Sequence, residues 1–260
     1  MNTTMNTPQV LLTVDIGNTT TSFALFKEDR ILDRRSLPTH KLSGRDLLAT
    51  LKYFKKKDPR LDACVVCSVV PRALRRHKSA LQRLFPGRLF VAGENLKVPL
   101  KNAYQDPRQV GQDRLACAYA VKEQYRCPAV VIDLGTAMTI DVVSARGEYQ
   151  GGMIVPGIGL SLKALFENTA LLPLVSLRKP SSLIGRNTAE SILSGVFYGY
   201  SALIEGVVAK IEKKLKAKPV VVLTGGYGHV MGKYLNASVD HFDPDLIFKG
   251  LMLSFRETRH

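Results

Sequence analysis

The chain has 260 residues, of which 45% are hydrophobic and 23% are charged, and its formal net charge is +15. These proportions are typical of a globular protein and exclude a disordered chain, a collagen-like repeat and a disulfide-rich miniprotein. The sequence has no run of about 18 uncharged apolar residues, so no membrane-spanning helix and no membrane partner are predicted. Residues 1–9 lack the basic start and apolar core of a secretory signal. We therefore expect a cytoplasmic protein.

The excess of basic residues leaves two interpretations open. The bases are dispersed in short groups, such as Arg34-Arg35, Lys55–Lys57 and Arg75-Arg76, and aromatic residues do not alternate with them. A solvated basic face explains this pattern most simply, and an anionic partner is the alternative. No nucleic-acid partner is expected.

The four cysteines offer little metal or redox chemistry. Cys64 and Cys67 form a C-x-x-C pair, but Cys117 and Cys127 are too far apart to complete a zinc site. The pair lies in the apolar run ACVVCSVV, which predicts a buried strand with the two thiols on opposite faces. Buried free thiols are the favoured interpretation, and a redox or metal site is the alternative.

Apolar runs and helical periodicity alternate along the chain and predict an α/β protein. In the first part, we predict two strands within 10–26 joined by a Gly-Asn turn, a polar segment, a helix at 45–57, a strand at 62–70, a helix at 72–85 and a strand at 88–93. After a loop at 95–112 we predict a helix at 113–125, three strands within 129–155, helices near 157–168 and 188–215, a strand at 219–226 and a helix at 243–255.

One sequence pattern occurs twice. VDIGNTTTSFALF (14–26) and IDLGTAMTIDVV (132–143) share an apolar strand, Asp, an apolar residue, Gly and a hydroxyl-rich turn into a second strand. Such a repeat indicates a duplicated α/β unit. We therefore predict an N-terminal extension at 1–9, a first domain at 10–118 and a second domain at 119–260.

Both copies of the pattern carry groups suited to phosphate. Glycine lets the backbone approach an anion closely, and turn N–H groups with Thr hydroxyls can surround phosphate oxygens. A carboxylate at the strand end, such as Asp15, can hold a hydrated Mg²⁺. A β-hairpin with an Asx turn needs no ligand and is the alternative for each copy alone. The second copy at Asp133–Ala137 favours a two-part phosphate clamp.

The other nucleotide-binding motifs are absent from the sequence, which has neither a complete P-loop nor a G-x-G-x-x-G after a strand. Gly111-Gln112-Asp113-Arg114 opens a predicted helix, where a carboxylate can accept a hydroxyl proton and a guanidinium can hold an anion. An ordinary helix cap with a surface ion pair is the alternative for this segment. Thr188 is a candidate cap of the helix at 188–215.

Six short motifs, in order, resemble the type III pantothenate kinases, the family that includes the Bvg accessory factor proteins. They are VDIGNT (14–19), GQDR (111–114), DLGTA (133–137), GGMIVPG (151–157), GRNTAE (185–190) and LTGG (223–226). The resemblance implies an α/β fold of the acetate and sugar kinase/Hsp70/actin superfamily. That fold has two ribonuclease H-like domains, which are duplicated mixed-sheet units with a nucleotide cleft between them.

The resemblance also implies an activity: the ATP-dependent phosphorylation of pantothenate to 4'-phosphopantothenate, the first step of coenzyme A biosynthesis. It implies a homodimer and a requirement for ATP, Mg²⁺ and a monovalent cation, K⁺ or NH₄⁺. Two alternatives are a noncatalytic transcriptional regulator like the Bvg accessory factor and a superfamily kinase with another acceptor. The intact Asp15, Asp113 and Asp133 favour the enzyme.

The resemblance assigns roles to individual residues. The ATP-phosphate loop would comprise Asp15, Ile16, Gly17, Asn18, Thr19, Thr20, Thr21 and Ser22, with Asp15 near Mg²⁺ through water, and Thr136 would touch the ATP phosphates. Asp113 would be the general base on the primary hydroxyl of pantothenate, and Asp133 would bind the monovalent cation. The pantothenate site would be lined by Tyr104, Gly111, Gln112, Asp113, Arg114 and Thr188.

Overall fold

The computed structural model describes residues 10–235 and 238–258, so the predicted extension at 1–9 lies outside the described residues. The chain forms two compact units. The first comprises the described residues within Met1–Leu100, Asp106–Ala120 and Leu246–His260, and the second comprises those within Lys101–Gln105 and Val121–Asp245.

The first unit is built on one five-stranded sheet in the order β3-β2-β1-β4-β5. Its strands are β1 (Val10–Ile16), β2 (Thr20–Lys27), β3 (Arg30–Pro38), β4 (Ala63–Ser68) and β5 (Leu89–Val91). Its helices are α1 (Gly44–Lys57), α2 (Pro71–Leu84), α3 (Gln112–Gln124), which belongs to this unit as far as Ala120, and α7 (Leu246–Glu257). β1, β2 and β3 pair antiparallel, whereas β4 and β5 continue the sheet parallel to β1.

The second unit is also built on a five-stranded sheet, in the order β10-β9-β6-β7-β8. Its strands are β6 (Ala129–Leu134), β7 (Ala137–Val143), β8 (Tyr149–Pro156), β9 (Val220–Thr224) and β10 (His241–Phe242). Its helices are α4 (Ile158–Glu167), α5 (Thr188–Leu215) and the single turn α6 (Gly228–Met231). β6, β7 and β8 pair antiparallel, and β9 and β10 continue the sheet parallel to β6.

The two sheets share one topology. In each, the first three strands form an antiparallel meander, and the fourth and fifth strands lie on the free side of the first strand, parallel to it. The β1–β2 turn and the β6–β7 turn therefore occupy equivalent positions. The duplication predicted from the repeated sequence pattern is present in the fold.

The unit boundaries differ from the two consecutive domains predicted at 10–118 and 119–260. The break in α3 falls between Ala120 and Val121, and the C-terminal helix α7 belongs to the first unit. Leu251, Met252 and Phe255 of α7 are buried in a core cluster with residues of β1, β2 and β4. A linear pattern cannot show this return, because it depends on which sheet face lacks a helix.

The sheet of the first unit has an apolar core on each face. One cluster contains Leu12 and Cys64 with residues of α1 and α2, and the other contains Leu11 and Cys67 with residues of α7. The two thiols thus lie on opposite faces of β4, as predicted, and both are buried and free. Burial raises the pKa of Cys64 well above its usual range.

The sequence analysis missed β3. We interpreted the segment after residue 26 as polar, yet Arg30–Pro38 pairs along β2 as an edge strand. Most of its side chains are exposed, including Arg34 and Arg35, and only Ile31 and Leu37 pack against the apolar cores. A charged edge strand of this kind lacks the apolar alternation that predicts a strand. The two-residue β10 and the one-turn α6 were also missed, and they are too short to carry a periodic signal.

Helix α5 is the central helix of the second unit. It is long and apolar enough, by length and composition, to cross a membrane, and 39% of its most apolar window is buried. Its buried residues, including Ile192, Phe197 and Ile204, pack in the core of the second sheet. Because core helices also have this composition, we interpret α5 as a core helix.

Candidate active site

The predicted phosphate loop is the turn between β1 and β2. Asp15 is half-buried near the end of β1, and Asn18, Thr19 and Thr20 form an exposed tip. The Gly17 N–H donates to the Thr20 carbonyl at 3.0 Å, which closes the turn. The tip therefore presents backbone and hydroxyl groups to solvent at the end of a rigid hairpin.

The last two residues of the predicted loop are already engaged by the protein. Thr21 is buried, and its hydroxyl lies 2.9 Å from the hydroxyl of Thr39. The Ser22 hydroxyl pairs with that of Ser36 on β3, also at 2.9 Å. Among the eight residues assigned by resemblance, Asn18–Thr20 are therefore exposed. The hydroxyls of Thr21 and Ser22 instead point toward β3 and the turn that follows it.

The GQDR segment lies at the start of α3, as predicted. Asp113 is half-buried in the first helical turn, and its Oδ1 accepts the Arg114 N–H at 2.8 Å. A Cβ atom at Gly111 would collide with this same Oδ1. Glycine at position 111 therefore leaves the space that the Asp113 carboxylate occupies.

Asp15 and Asp113 lie near one another around Cys67. Asp15 is paired with Cys67 in the register of β1 and β4. Burial is the main cause that raises the pKa of Cys67, and the negative charges of Asp15 and Asp113 raise it further. The structure thus brings the predicted Mg²⁺-side carboxylate and the predicted general base into one neighbourhood, beside a thiol that stays neutral.

The second unit carries the equivalent turn. β6 and β9 are parallel, so Asp133 at the end of β6 lies beside Thr224 at the end of β9. The Tyr227 N–H donates to the Leu134 carbonyl at 3.2 Å, and a Cβ atom at Gly225 would collide with Asp133 Oδ1. The LTGG turn is therefore packed directly against the DLGT turn.

Asp133, the predicted monovalent-cation ligand, lies against two glycine turns. The carboxylate is half-buried, and a Cβ atom at Gly135 would lie only 3.2 Å from its Oδ1. The Thr136 carbonyl nearby accepts the Gly157 N–H at 3.1 Å. Within residues 10–235 and 238–258, no group of three or more His, Cys, Asp or Glu side chains could hold a metal ion. A cation here would combine one carboxylate with backbone or ligand oxygens, which hard cations accept.

Tyr104 and Thr188 both belong to the second unit. The Tyr104 ring packs against Gly151, where a Cβ atom would lie 3.2 Å from the ring. The predicted cap of α5 is corrected: Asn187 is the N-cap, and its side chain accepts the Glu190 N–H at 2.9 Å. The Asn side chain reaches the third helical N–H from just before the helix, whereas Thr188 is already inside it. The Thr188 side chain is exposed.

Glu190 fixes the segment that precedes α5. Its carboxylate accepts hydrogen bonds from the Ser181 N–H at 2.8 Å and the Ser181 hydroxyl at 2.9 Å, and it pairs with Arg178. These hydrogen bonds, led by the Ser181 N–H, lower the pKa of Glu190 to about 2. The GRNTAE motif thus forms the start of α5. Its Asn187 and Glu190 fix the backbone before and after Thr188.

The comparisons with known proteins agree with this geometry. The family model of type III pantothenate kinase matches residues 11–210. The chain belongs to the type III pantothenate kinase family. A relative from Persephonella marina, named a type III pantothenate kinase, is 40% identical over 249 residues, which is 93% of this chain and 96% of the relative.

Solved structures place this family member in the predicted fold. A Campylobacter jejuni protein described as a Baf family transcriptional activator has a TM-score of 0.61 at 22% identity, over 95% of this chain and 98% of that one. A glucokinase from an Antarctic psychrotroph has a TM-score of 0.52 at 11% identity, over 96% and 99% of the two chains. The predicted α/β fold with two duplicated mixed-sheet units is confirmed.

Three residues around the site escaped the sequence analysis. Thr39 contacts the β1–β2 turn from 22 residues away. Cys67 lies beside Asp15 in the sheet, and Tyr227 bonds the LTGG turn to the end of β6. Only Cys67 had a usable signal, because it sits in a strand parallel to β1. The other two depend on tertiary contacts.

Proposed function

We propose that this family member phosphorylates pantothenate with ATP to give 4'-phosphopantothenate, the first step of coenzyme A biosynthesis, in the cytoplasm. The observation that carries the proposal is the position of Asp15 at the end of β1 close to the GQDR segment. Asp15 is paired with Cys67 on β4. A Cβ atom at Gly111 would lie 3.8 Å from Val69, whose N–H donates to the carbonyl of the last residue of β1. A kinase needs both a phosphate-binding turn and a carboxylate at the acceptor hydroxyl. In this proposal the β1–β2 turn and Asp113, both in the first unit, would supply them.

The proposed chemistry asks little of Asp113 as a base. Phosphoryl transfer passes through a loose transition state, so positioning and charge neutralisation matter more than base strength. An ordinary carboxylate can accept the proton of the primary hydroxyl as the bond to phosphorus forms. Asp113 is suited to this because the Arg114 N–H and the start of α3 fix its orientation.

The remaining roles follow the family motifs. The exposed tip Asn18–Thr20 and Thr136 would contact the ATP phosphates, and Asp15 would hold a hydrated Mg²⁺. When bound, Mg²⁺ supplies positive charge against the phosphate oxygens. Gly111–Arg114, Tyr104 and Thr188 would bind pantothenate, with Arg114 toward its carboxylate because a guanidinium pairs well with that group.

Turnover is expected to depend on both pantothenate and K⁺. The measurement is ADP release with ATP and Mg²⁺, with and without pantothenate, in K⁺ and in Na⁺ buffers of equal ionic strength. We expect pantothenate-dependent release in K⁺ that falls at least tenfold in Na⁺, since a cation that neutralises phosphate charge must fit its site. The Asp133→Asn variant should release ADP at the same rate in the K⁺ and Na⁺ buffers. If the rate of ADP release were the same with and without pantothenate in both buffers, pantothenate would be rejected as the acceptor.

The second unit carries a surface suited to a second copy of the chain. One exposed stripe of α5, with the exposed Glu205 and Lys210 beside its C-terminal half, carries small residues at helical spacing: Ser191, Gly195, Gly199, Ala202, Gly206 and Ala209. Beside it, Val155, Leu165 and Leu203 help to line an apolar groove of about 390 Å³. Ile154 and Phe166 nearby are 65% and 46% exposed. Small residues permit close approach of a helix, and an apolar patch of this kind marks an interaction surface, so the proposed enzyme is a homodimer.

Ala202→Arg should convert the protein from a dimer to a monomer. The new side chain would stand in the middle of the small-residue face and place an unpaired charge in an apolar interface. Ala49→Arg on α1 is the matched control, because Ala49 is also an exposed helical alanine but lies in the first unit. Light scattering after gel filtration measures the mass of each. A dimer that survives Ala202→Arg would place the interface elsewhere.

A further inference from the structure

Thr39 lies directly after β3 and is buried, although it carries a hydroxyl. It is the first residue of a short 3-10 turn, Thr39–Lys41, and belongs to none of the family motifs. A buried hydroxyl needs hydrogen-bond partners. The Thr39 hydroxyl finds its partners in the predicted phosphate loop, at Gly17 and Thr21.

Thr39 makes three hydrogen bonds to that loop. Its hydroxyl donates to the Gly17 carbonyl at 2.7 Å, and its backbone N–H donates to the Thr19 carbonyl at 2.9 Å. Because a hydroxyl has one proton and that of Thr39 goes to Gly17, Thr21 must be the donor in the 2.9 Å contact between the two hydroxyls. The Thr21 hydroxyl proton is therefore committed to Thr39.

The two hydrogen bonds that Thr39 donates, to the Gly17 and Thr19 carbonyls, fix the direction of two peptide groups. In a planar trans peptide the C=O and the following N–H point in opposite directions. Holding the Gly17 carbonyl toward Thr39 therefore turns the Asn18 N–H away from it. Holding the Thr19 carbonyl toward Thr39 does the same to the Thr20 N–H.

We propose that Thr39 is a positioning residue that orients the Asn18 and Thr20 amides toward the phosphate oxygens of a nucleoside triphosphate. Oriented backbone amides in a turn form an anion-binding concavity. The gain lies in preorganisation, because a loop fixed before binding loses less entropy on binding. The proposal rests on the proposed function only in taking this turn as the phosphate site.

The test is Thr39→Val, which keeps the shape of the side chain and removes both hydroxyl bonds. We expect nucleotide affinity, measured by calorimetry with a non-hydrolysable ATP analogue and Mg²⁺, to fall about tenfold, the effect of one or two hydrogen bonds. KM for ATP should rise by the same factor, and KM for pantothenate should stay within twofold. Thr39→Ser, which keeps the hydroxyl, should retain the wild-type affinity.

Thr50→Val is the matched control. Thr50 is also buried in the first unit, but its hydroxyl bonds only the Asp46 carbonyl within α1. It should lower thermal stability slightly and leave nucleotide affinity unchanged. Equal affinity in Thr39→Val and the wild type would overturn the proposal. So would a tenfold loss in Thr39→Ser, because the methyl group and not the hydroxyl would then matter.

The proposed pantothenate kinase activity and the proposed role of Thr39 can be rejected by different results. A wild-type protein that binds the ATP analogue but does not phosphorylate pantothenate would reject the proposed acceptor. In that case Thr39→Val must still weaken analogue binding for the positioning role to stand. If Thr39→Val does not fold, the affinity of Thr39→Ser decides the question.

Discussion

Asp113→Asn should lower kcat by about 10²–10⁴ while leaving affinity for ATP within a few-fold of the wild type. The amide has nearly the shape of the carboxylate, and its oxygen can still accept the Arg114 N–H that now bonds Asp113 at 2.8 Å. It cannot accept the proton of the substrate hydroxyl. The split between kcat and nucleotide affinity is measured by ADP release and by calorimetry with a non-hydrolysable ATP analogue.

Asp106→Asn is the control for that substitution. Asp106 is another half-buried Asp of the first unit, and its side chain accepts the Arg108 N–H at 3.2 Å before a short 3-10 turn. It has no part in the proposed chemistry, so its kcat should stay within about twofold. If Asp113→Asn weakened ATP affinity as much as turnover, Asp113 would be a structural residue rather than the general base.

Gly225→Ala should lower the melting temperature by roughly 5–10 °C, which corresponds to a loss of about 3 kcal/mol. Gly225 has φ of +89°, where an L side chain is strained. A Cβ atom there would also collide with Asp133 Oδ1 and lie 2.6 Å from the backbone nitrogen of Leu134. The substitution therefore pushes the LTGG turn away from the proposed cation site.

Gly226→Ala provides the comparison within the same turn. A Cβ atom at Gly226 would meet nothing within 4 Å, so its melting temperature should match the wild type. The LTGG turn ends a strand at the edge where ligands of α/β proteins usually bind. If a purine ring passes over this turn, Gly226→Ala will raise KM for ATP without loss of stability. Equal melting temperatures for both variants would contradict the packing of the two turns.

The sequence predicted the regular elements well, because each has a local signal. The boundaries of α5 at Thr188 and Leu215 match the predicted helix at 188–215, and α2 begins at Pro71, a residue favoured in the first helical turn. The repeated Asp-x-Gly turns predicted the duplication. The edge strand β3 was not predicted because most of its side chains are polar and exposed, and only Ile31 and Leu37 pack against the apolar cores.

The sequence indicated which residues belong to the candidate site, and the structure showed what surrounds them. Motif order indicated Asp15, Asp113 and Asp133, and their assigned roles stay predictions until turnover is measured. The structure adds what surrounds them, such as the neighbourhood of Asp15 and Asp113 around Cys67. Asp15 and Cys67 are neighbours because β1 and β4 pair side by side, a relation that no spacing along the chain encodes.

The sequence by itself determined the fold class, the two-fold repeat and the family. Hydrophobic periodicity and turn chemistry act over a few residues, so both can be read directly from the order of the amino acids. The tertiary structure alone decided that α7 returns to the first sheet, that Asn187 rather than Thr188 caps α5, and that Thr39 holds the β1–β2 turn. These features depend on which sheet faces remain uncovered and which backbone carbonyls remain unpaired once the strands have paired. Both are properties of the folded chain and have no local signal in the sequence.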